Sequence, residues 1–307
     1  MIIGKVKGGL ANQMFQYAFY KTIAKINNTS LYLDVSWFEE NITPQWNINS
    51  KKIKPATFQL YLFNTTYMIS SDKIVSKIYA KRNPYGEFKI IKKIYNQIEK
   101  IKPNHKKIIV KQNISEYDSN LMKIQNNTLL DGFFQHHQFL GKFRSLLLSE
   151  FKLKKEFINP TFLNFKKEII TTNSVSIHIR RGDYLKLNHS CSENYFNHAI
   201  RFIEKSCGNP IFYVFSDDIN WCKKKLTFNS TSNFLSENYN LKDYHEIMLM
   251  KYCKHNIISN STFSFWGAWL NENPNKKVVY PSKIKDTLNK DICIKSWNEI
   301  TDETFPI

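Results

Sequence analysis

From residue 174 onward, short apolar runs alternate with helical stretches, and that alternation admits few folds. Residues 174–179 (Ser-Val-Ser-Ile-His-Ile) read as a buried strand, 192–206 as a helix, 211–215 as a strand and 217–226 as a helix. A helix over 243–254, a short strand at 256–258, a helix over 261–271 and a strand at 277–280 complete the series. Strands that each hand over to a helix imply a parallel sheet covered on both faces. The N-terminus opens in the same way, with a strand over 2–7, a turn at Gly8-Gly9, a helix over 12–26 and a strand at 31–33. Between about 50 and 127 the pattern loosens into a Lys-rich stretch punctuated by Pro55, Pro84 and Pro103.

A chain of 307 residues with 42% hydrophobic content supports two domains, and the pattern places the boundary near residue 155. The expected fold class is therefore α/β, with two open sheets facing one another and ligands in the crevice at the carboxyl ends of their strands. No run of about 18 apolar residues occurs and the chain begins directly in a strand, so the reading is a soluble, cytoplasmic protein. One segment qualifies that reading. Phe88, Ile91, Ile94, Tyr95, Ile98 and Ile101 fall on one helical face with lysines between them, a pattern that can lie peripherally on anionic lipid or simply dock on a core. The net charge of +18 comes almost wholly from lysine, and only five arginines occur, which argues against a reader of nucleic acid. The five cysteines lack metal-ligand spacing and read as reduced structural thiols.

Three clusters follow a strand and open a helix, the position at which nucleotides bind. In the first, Gly8 and Gly9 allow close backbone approach, while Asn12 and Gln13 offer neutral amides suited to sugar hydroxyls. Neither G-x-G-x-x-G nor a phosphate loop is present, which counts against an oxidoreductase suggested by the β-α-β start and Asp34. The second is His178-Ile179-Arg180-Arg181-Gly182-Asp183. Two adjacent arginines at a strand end call for an anion, of which a diphosphate leaving group is one; an internal pair with Asp183 is the plainer alternative. The third runs from Asn260 to Trp269: Ser261 and Thr262 can cap a helix or donate to phosphate, and Phe263 can flank a base or fill a core. Asp243 and Glu246 could accept the N–H donors of guanine or stand as ordinary helix-face charges. Asp217 or Asp218 is expected to cap the next helix; with no D-x-D anywhere, no metal and no cofactor are expected.

Together these clusters resemble the bacterial α-1,2-fucosyltransferases of glycosyltransferase family eleven. The resemblance rests on G-G-L-A-N-Q-M-F-Q-Y-A at 8–18, D-G-F-F-Q at 131–135, H-I-R-R-G-D-Y at 178–184, F-S-D-D at 215–218 and H-N-I-I-S-N-S-T-F-S-F-W-G-A-W-L at 255–270. It implies a GT-B fold of two Rossmann-like domains, residues 1–155 on the acceptor side and 156–307 binding the GDP-sugar. It also implies metal-independent, inverting transfer of fucose from GDP-fucose to the 2-hydroxyl of a galactoside or lipid-linked oligosaccharide, in surface polysaccharide synthesis. Donor contacts are then expected from Gly9, His178, Arg180, Arg181, Glu246, Ser261, Thr262 and Phe263, with Arg180 on the diphosphate. Asn12, Gln13 and Asp131 are assigned to the acceptor, and Asn12 and Asp183 join Arg180 at the reacting centre. Asp131, His178 and Asp183 stand as alternative general bases. Ala11 departs from the family's usual glycine and restricts the backbone before Asn12. The competing readings are another fucosyl linkage on the same fold and a basic nucleic-acid- or membrane-binding protein.

Overall fold

The computed structural model describes residues 1–40, 56–82, 93, 97–99, 101–112, 117–238, 240–282 and 292–301. Of the basic amphipathic segment, Phe88, Ile91, Ile94 and Tyr95 lie outside the described residues; Ile98 and Ile101 are exposed. The chain divides into two units, Met1–Leu153 and Lys154–Ile307.

In the first unit, β1 (Ile2–Lys5), β2 (Leu31–Asp34), β3 (Met68–Ile69), β4 (Ile109–Gln112) and β5 (Thr128–Gly132) form one parallel sheet in the order β3-β2-β1-β5-β4. The helix Leu10–Ile26 is buried along nearly its whole length, and it sits close to β1 because Gly4 carries no side chain. A Cβ there would lie 2.0 Å from the Tyr20 ring, whose hydroxyl donates to the carbonyls of Lys5 (2.8 Å) and Gly132 (3.2 Å). The same helix is tied down by Glu150, which accepts from Tyr17 (2.7 Å) and pairs with Lys21 (3.0 Å) in a buried setting.

The second unit holds a parallel sheet in the order β11-β10-β9-β6-β7-β8, made of β6 (Ser174–Ile179), β7 (Ile211–Ser216), β8 (Ser232–Phe234), β9 (His255–Ile257), β10 (Val278–Pro281) and β11 (Asn298–Ile300). The expected strand 174–179 is observed at those residues, and the helices form at Glu193–Ser206, Ile219–Lys225, Asp243–Tyr252 and Thr262–Leu270. Caps set their starts: Ser192 accepts from the Tyr195 N–H (3.0 Å) and Asp218 from the Trp221 N–H (3.1 Å). Buried Asn256 cross-links the core, donating to Ser176 Oγ (2.7 Å) and the Met250 carbonyl (2.9 Å) while accepting from Asn271 (2.8 Å). All five cysteines are free, and four are buried. No helix among the described residues is long and apolar enough to cross a membrane.

In the first unit the chain proceeds from β1 outward to β3, crosses to β4 at the opposite edge and steps inward to β5, which lies beside β1. In the second it proceeds from β6 outward to β8 and returns with β9 on the other side of β6, continuing outward to β11, so the strand order reverses between β6 and β9. Flanking connections diverge at such a point, opening a crevice at the carboxyl ends of the strands.

Candidate active site

The crevice of the second unit is built from the ends of β6, β7 and β9. Strand β6 is buried throughout and delivers Arg180 and Arg181 at its exit. Arg180 is not an isolated cation. Its Nε donates to Asp183 Oδ1 (2.9 Å), its Nη2 pairs with the same oxygen at 2.8 Å and its Nη1 with Asp217 Oδ2 at 2.9 Å. These contacts involve all three nitrogens of the guanidinium, and 39% of the side chain remains exposed. Arg181 donates to Asp218 Oδ2 (3.1 Å) and lies 3.9 Å over the Trp221 ring. The internal-pair alternative with Asp183 is therefore realised, and it extends to Asp217 and Asp218. Asp217 also accepts from the backbone N–H groups of Arg181 (2.8 Å) and Gly182 (3.2 Å), so one carboxylate fixes both the loop and the fork of Arg180. Beside Arg181 a cavity of about 380 Å³ opens, lined among others by His189, Cys191, Trp221, Asn260 and Ser282.

From β9, adjacent to β6, the chain runs through Ser259, Asn260 and Ser261 into the helix Thr262–Leu270. Ser261 caps that helix by accepting from the Phe263 N–H (3.3 Å), and Ser264 folds back onto the carbonyls of Ser259 (3.2 Å) and Ser261 (2.9 Å). The result is a rigid helix N-terminus with a partly exposed Thr262, the end that carries partial positive charge. Phe263 is partly buried, its ring 5.0 Å from that of His178. Burial, and secondarily the Arg180 charge, push the His178 imidazole down to about 3. His178 is thus neutral, bonded to Ser259 Oγ (3.2 Å), and too weakly basic for the general-base role among its expected ones. Glu246 lies nearby on the helix Asp243–Tyr252 and accepts from Ser236 Oγ (2.6 Å), which itself accepts from the Ser216 N–H (3.0 Å). Burial, with Asp243 and Asp217 adding to it, raises its carboxyl to about 7.

In the first unit the carboxyl ends of β1 and β5 lie side by side. Gly8 adopts φ +80°, which strains any other residue, and Gly9 caps the helix Leu10–Ile26 with open space above its Cα. Asn12 accepts from Gln135 Nε2 (2.8 Å), and Asp131 accepts from Lys7 Nζ (2.7 Å). Gln13 corrects the expectation of an acceptor contact. It is fully buried, its amide donating to the carbonyls of Gly8 and Thr57 (both 2.8 Å) and accepting from the Gln59 N–H (2.8 Å), so it braces the turn. Ala11 is buried in the first helical turn, where alanine is the best helix former. Asp34, the acidic residue behind the oxidoreductase reading, accepts from the Ser36 N–H (3.0 Å).

Sequence reasoning passed over Asp217 as the clamp on Arg180, and Lys7, Phe133 and Gln135 at the ends of β1 and β5. Asp217 left a signal as an acidic residue at the exit of the strand beside β6, and Phe133 and Gln135 lie within the D-G-F-F-Q run at 131–135. Among the described residues no three His, Cys, Asp or Glu side chains gather as a metal site.

The O-antigen biosynthesis glycosyltransferase WbnK of Escherichia coli is 32% identical over 310 residues, 95% of this chain and 98% of that one. An α-1,2-colitosyltransferase of Escherichia coli is 29% identical over 98% of this chain and 99% of its own length. The human galactoside α-(1,2)-fucosyltransferase 1 shares 28% identity over 103 residues, 31% of this chain. A solved structure of the α-1,6-fucosyltransferase NodZ soaked with GDP-fucose aligns with TM-score 0.48 and 12% identity, covering 88% of this chain and 91% of that one. The sequence model for glycosyl transferase family 11 matches residues 1–301, and the chain belongs to that family.

Proposed function

We propose that this glycosyltransferase moves L-fucose from GDP-β-L-fucose to the 2-hydroxyl of a terminal galactoside, with inversion and without a metal, during synthesis of a bacterial surface polysaccharide. Residues 1–155 and 156–307 are read as the acceptor and donor domains of a GT-B enzyme, working in the cytoplasm with peripheral membrane contact. The observation that carries the reading is the reversal between β6 and β9 in a chain of family 11: it brings Arg180 beside the helix start at Ser261 and Thr262.

In this reading the acceptor oxygen attacks the anomeric carbon from the face opposite GDP. The bond from that carbon to the β-phosphate oxygen breaks, its electron pair stays on the phosphate, and the hydroxyl proton leaves to a base. Arg180, still 39% exposed beside its carboxylate partners, meets the charge that grows on the departing diphosphate. Asp183 and Asp217 hold its fork in place. Ser261, Thr262 and the helix N-terminus receive the phosphates, and Glu246 accepts from the guanine N–H groups. With His178 set aside as base, Asp131 and Asp183 remain.

A second reading keeps the reaction and changes the sugar. The full-length similarity to an α-1,2-colitosyltransferase favours a donor carrying colitose, which is fucose without its 3-hydroxyl. A site that hydrogen-bonds that hydroxyl rejects the deoxy sugar strongly. Thermal shift with GDP, UDP and ADP at matched concentration tests the nucleotide, with stabilisation expected from GDP alone. Transfer from GDP-fucose against GDP-colitose then decides the sugar; stabilisation by UDP or ADP equal to that by GDP overturns both readings.

A further inference from the structure

We infer that Phe133 is a stacking platform for the acceptor's galactose ring, with Lys7 and Asp131 bonding that ring's hydroxyls; the inference rests on the galactoside acceptor proposed above. Phe133 follows the end of β5, beside the end of β1, and is 39% exposed, whereas its neighbour Phe134 is fully buried. The backbone there is strained. Phe134 has φ +51°, a region that bulky residues avoid and that persists only where surrounding contacts enforce it. Two contacts do so: the Phe134 ring stacks on Phe19 with centroids 4.1 Å apart, and its N–H donates to Gln112 Oε1 (2.8 Å). The consequence is that consecutive phenylalanines point opposite ways, one into the core and one outward beside Lys7.

The surroundings of Phe133 suit a sugar. Lys7 Nζ lies 5.3 Å from its ring centroid and donates to Asp131 Oδ1 (2.7 Å), so a cation and a carboxylate border an aromatic face. Gly8, left-handed at φ +80°, lets the β1 turn pass close by: a Cβ on it would lie 3.7 Å from Phe133 and 3.0 Å from Asn12 Nδ2. Galactose presents C–H groups at positions 3, 4 and 5 on one face because its 4-hydroxyl is axial. That face matches an aromatic ring, the 3- and 4-hydroxyls match Lys7 and Asp131, and the equatorial 2-hydroxyl stays at the ring edge. A lone exposed phenylalanine is unremarkable on a protein surface. One turned outward by a strained neighbour, beside an ion pair at the adjoining carboxyl ends of β1 and β5, is not.

The test is saturation-transfer NMR with methyl β-galactoside on the wild-type chain, Phe133→Ala and Phe133→Trp, alongside the GDP thermal shift of each. In transfer assays Phe133→Ala is expected to raise the acceptor KM roughly tenfold, as loss of one aromatic contact does, with the donor KM unchanged. Saturation of the H3–H5 protons should vanish in Phe133→Ala and return in Phe133→Trp, with the GDP shift intact in both. Equal galactoside binding by wild type and Phe133→Ala overturns the platform and leaves the proposed function standing. A wild-type chain that binds GDP but neither binds nor fucosylates galactoside overturns the acceptor assignment, and the platform with it.

Discussion

If Glu246 reads guanine through its carboxylate, GDP affinity must depend on pH in a way that Glu246→Gln abolishes. In the ligand-free protein burial raises this carboxyl to about 7, so at pH 8 it is mostly ionised and at pH 6 mostly neutral. A neutral carboxyl carries its own proton and accepts the two guanine N–H groups poorly. When only the ionised form binds, the apparent Kd is the intrinsic one divided by the ionised fraction, and it weakens roughly tenfold from pH 8 to pH 6. Isothermal titration calorimetry across that range measures it. The terminal phosphate of GDP titrates near pH 6 as well, so the quantity that counts is the wild-type dependence beyond that of Glu246→Gln. The variant should bind GDP at least tenfold more weakly at pH 8, the loss expected when a charged acceptor is removed. Stability moves the other way. A carboxyl whose folded value is raised contributes stability that is complete below the unfolded value and lost as pH rises through about 7. Glu246→Gln should therefore stabilise the free protein at pH 8 by about 1–3 kcal/mol, the upper end trimmed by remaining solvent contact, and by little at pH 5. A variant that binds GDP as well as wild type at pH 8 refutes the assignment.

Arg180→Ala should lower kcat by about 10²–10³ with Tm nearly unchanged, since it removes a half-exposed cation and leaves Asp183 and Asp217 facing the diphosphate. Arg180→Lys should fare little better, because a single ammonium cannot span the two carboxylates and a phosphate; near-normal turnover of Arg180→Ala would remove Arg180 from the mechanism. Exhaustive treatment with a chelator should leave the rate unchanged, and restoration by added Mg²⁺ after a loss would contradict metal independence. Asn256→Ala should destabilise the second unit by about 3 kcal/mol in urea titration, as three buried hydrogen bonds lose a partner.

The second unit was the more legible in sequence because β6, β7 and β10 are rich in apolar residues and the helices at Glu193, Ile219 and Thr262 open on the caps Ser192, Asp218 and Ser261, although the polar three-residue strands β8 and β11 escaped notice. In the first unit β4 and β5 escaped notice: Ile109-Val110-Lys111-Gln112 is a four-residue strand within a Lys-rich stretch, too short for periodicity to reveal. The carboxylate partners of Arg180 illustrate a different limit. Asp183 lies three residues away and was weighed as a partner, whereas Asp217 comes from the next strand and meets Arg180 only once β6 and β7 pair. Gln13 looked like a ligand contact because a polar amide beside paired glycines suits a sugar; its burial depends on Thr57 and Gln59, which the sequence does not place next to it. The outward turn of Phe133 likewise depends on a φ at Phe134 that no propensity predicts.

Linkage analysis of the product formed from GDP-fucose and a panel of galactosides tests the proposed reaction at its bond. An α-linked fucose on the galactose 2-hydroxyl is the predicted product. A β-linkage, attachment at another hydroxyl, or transfer that runs only from a UDP- or ADP-sugar would contradict it.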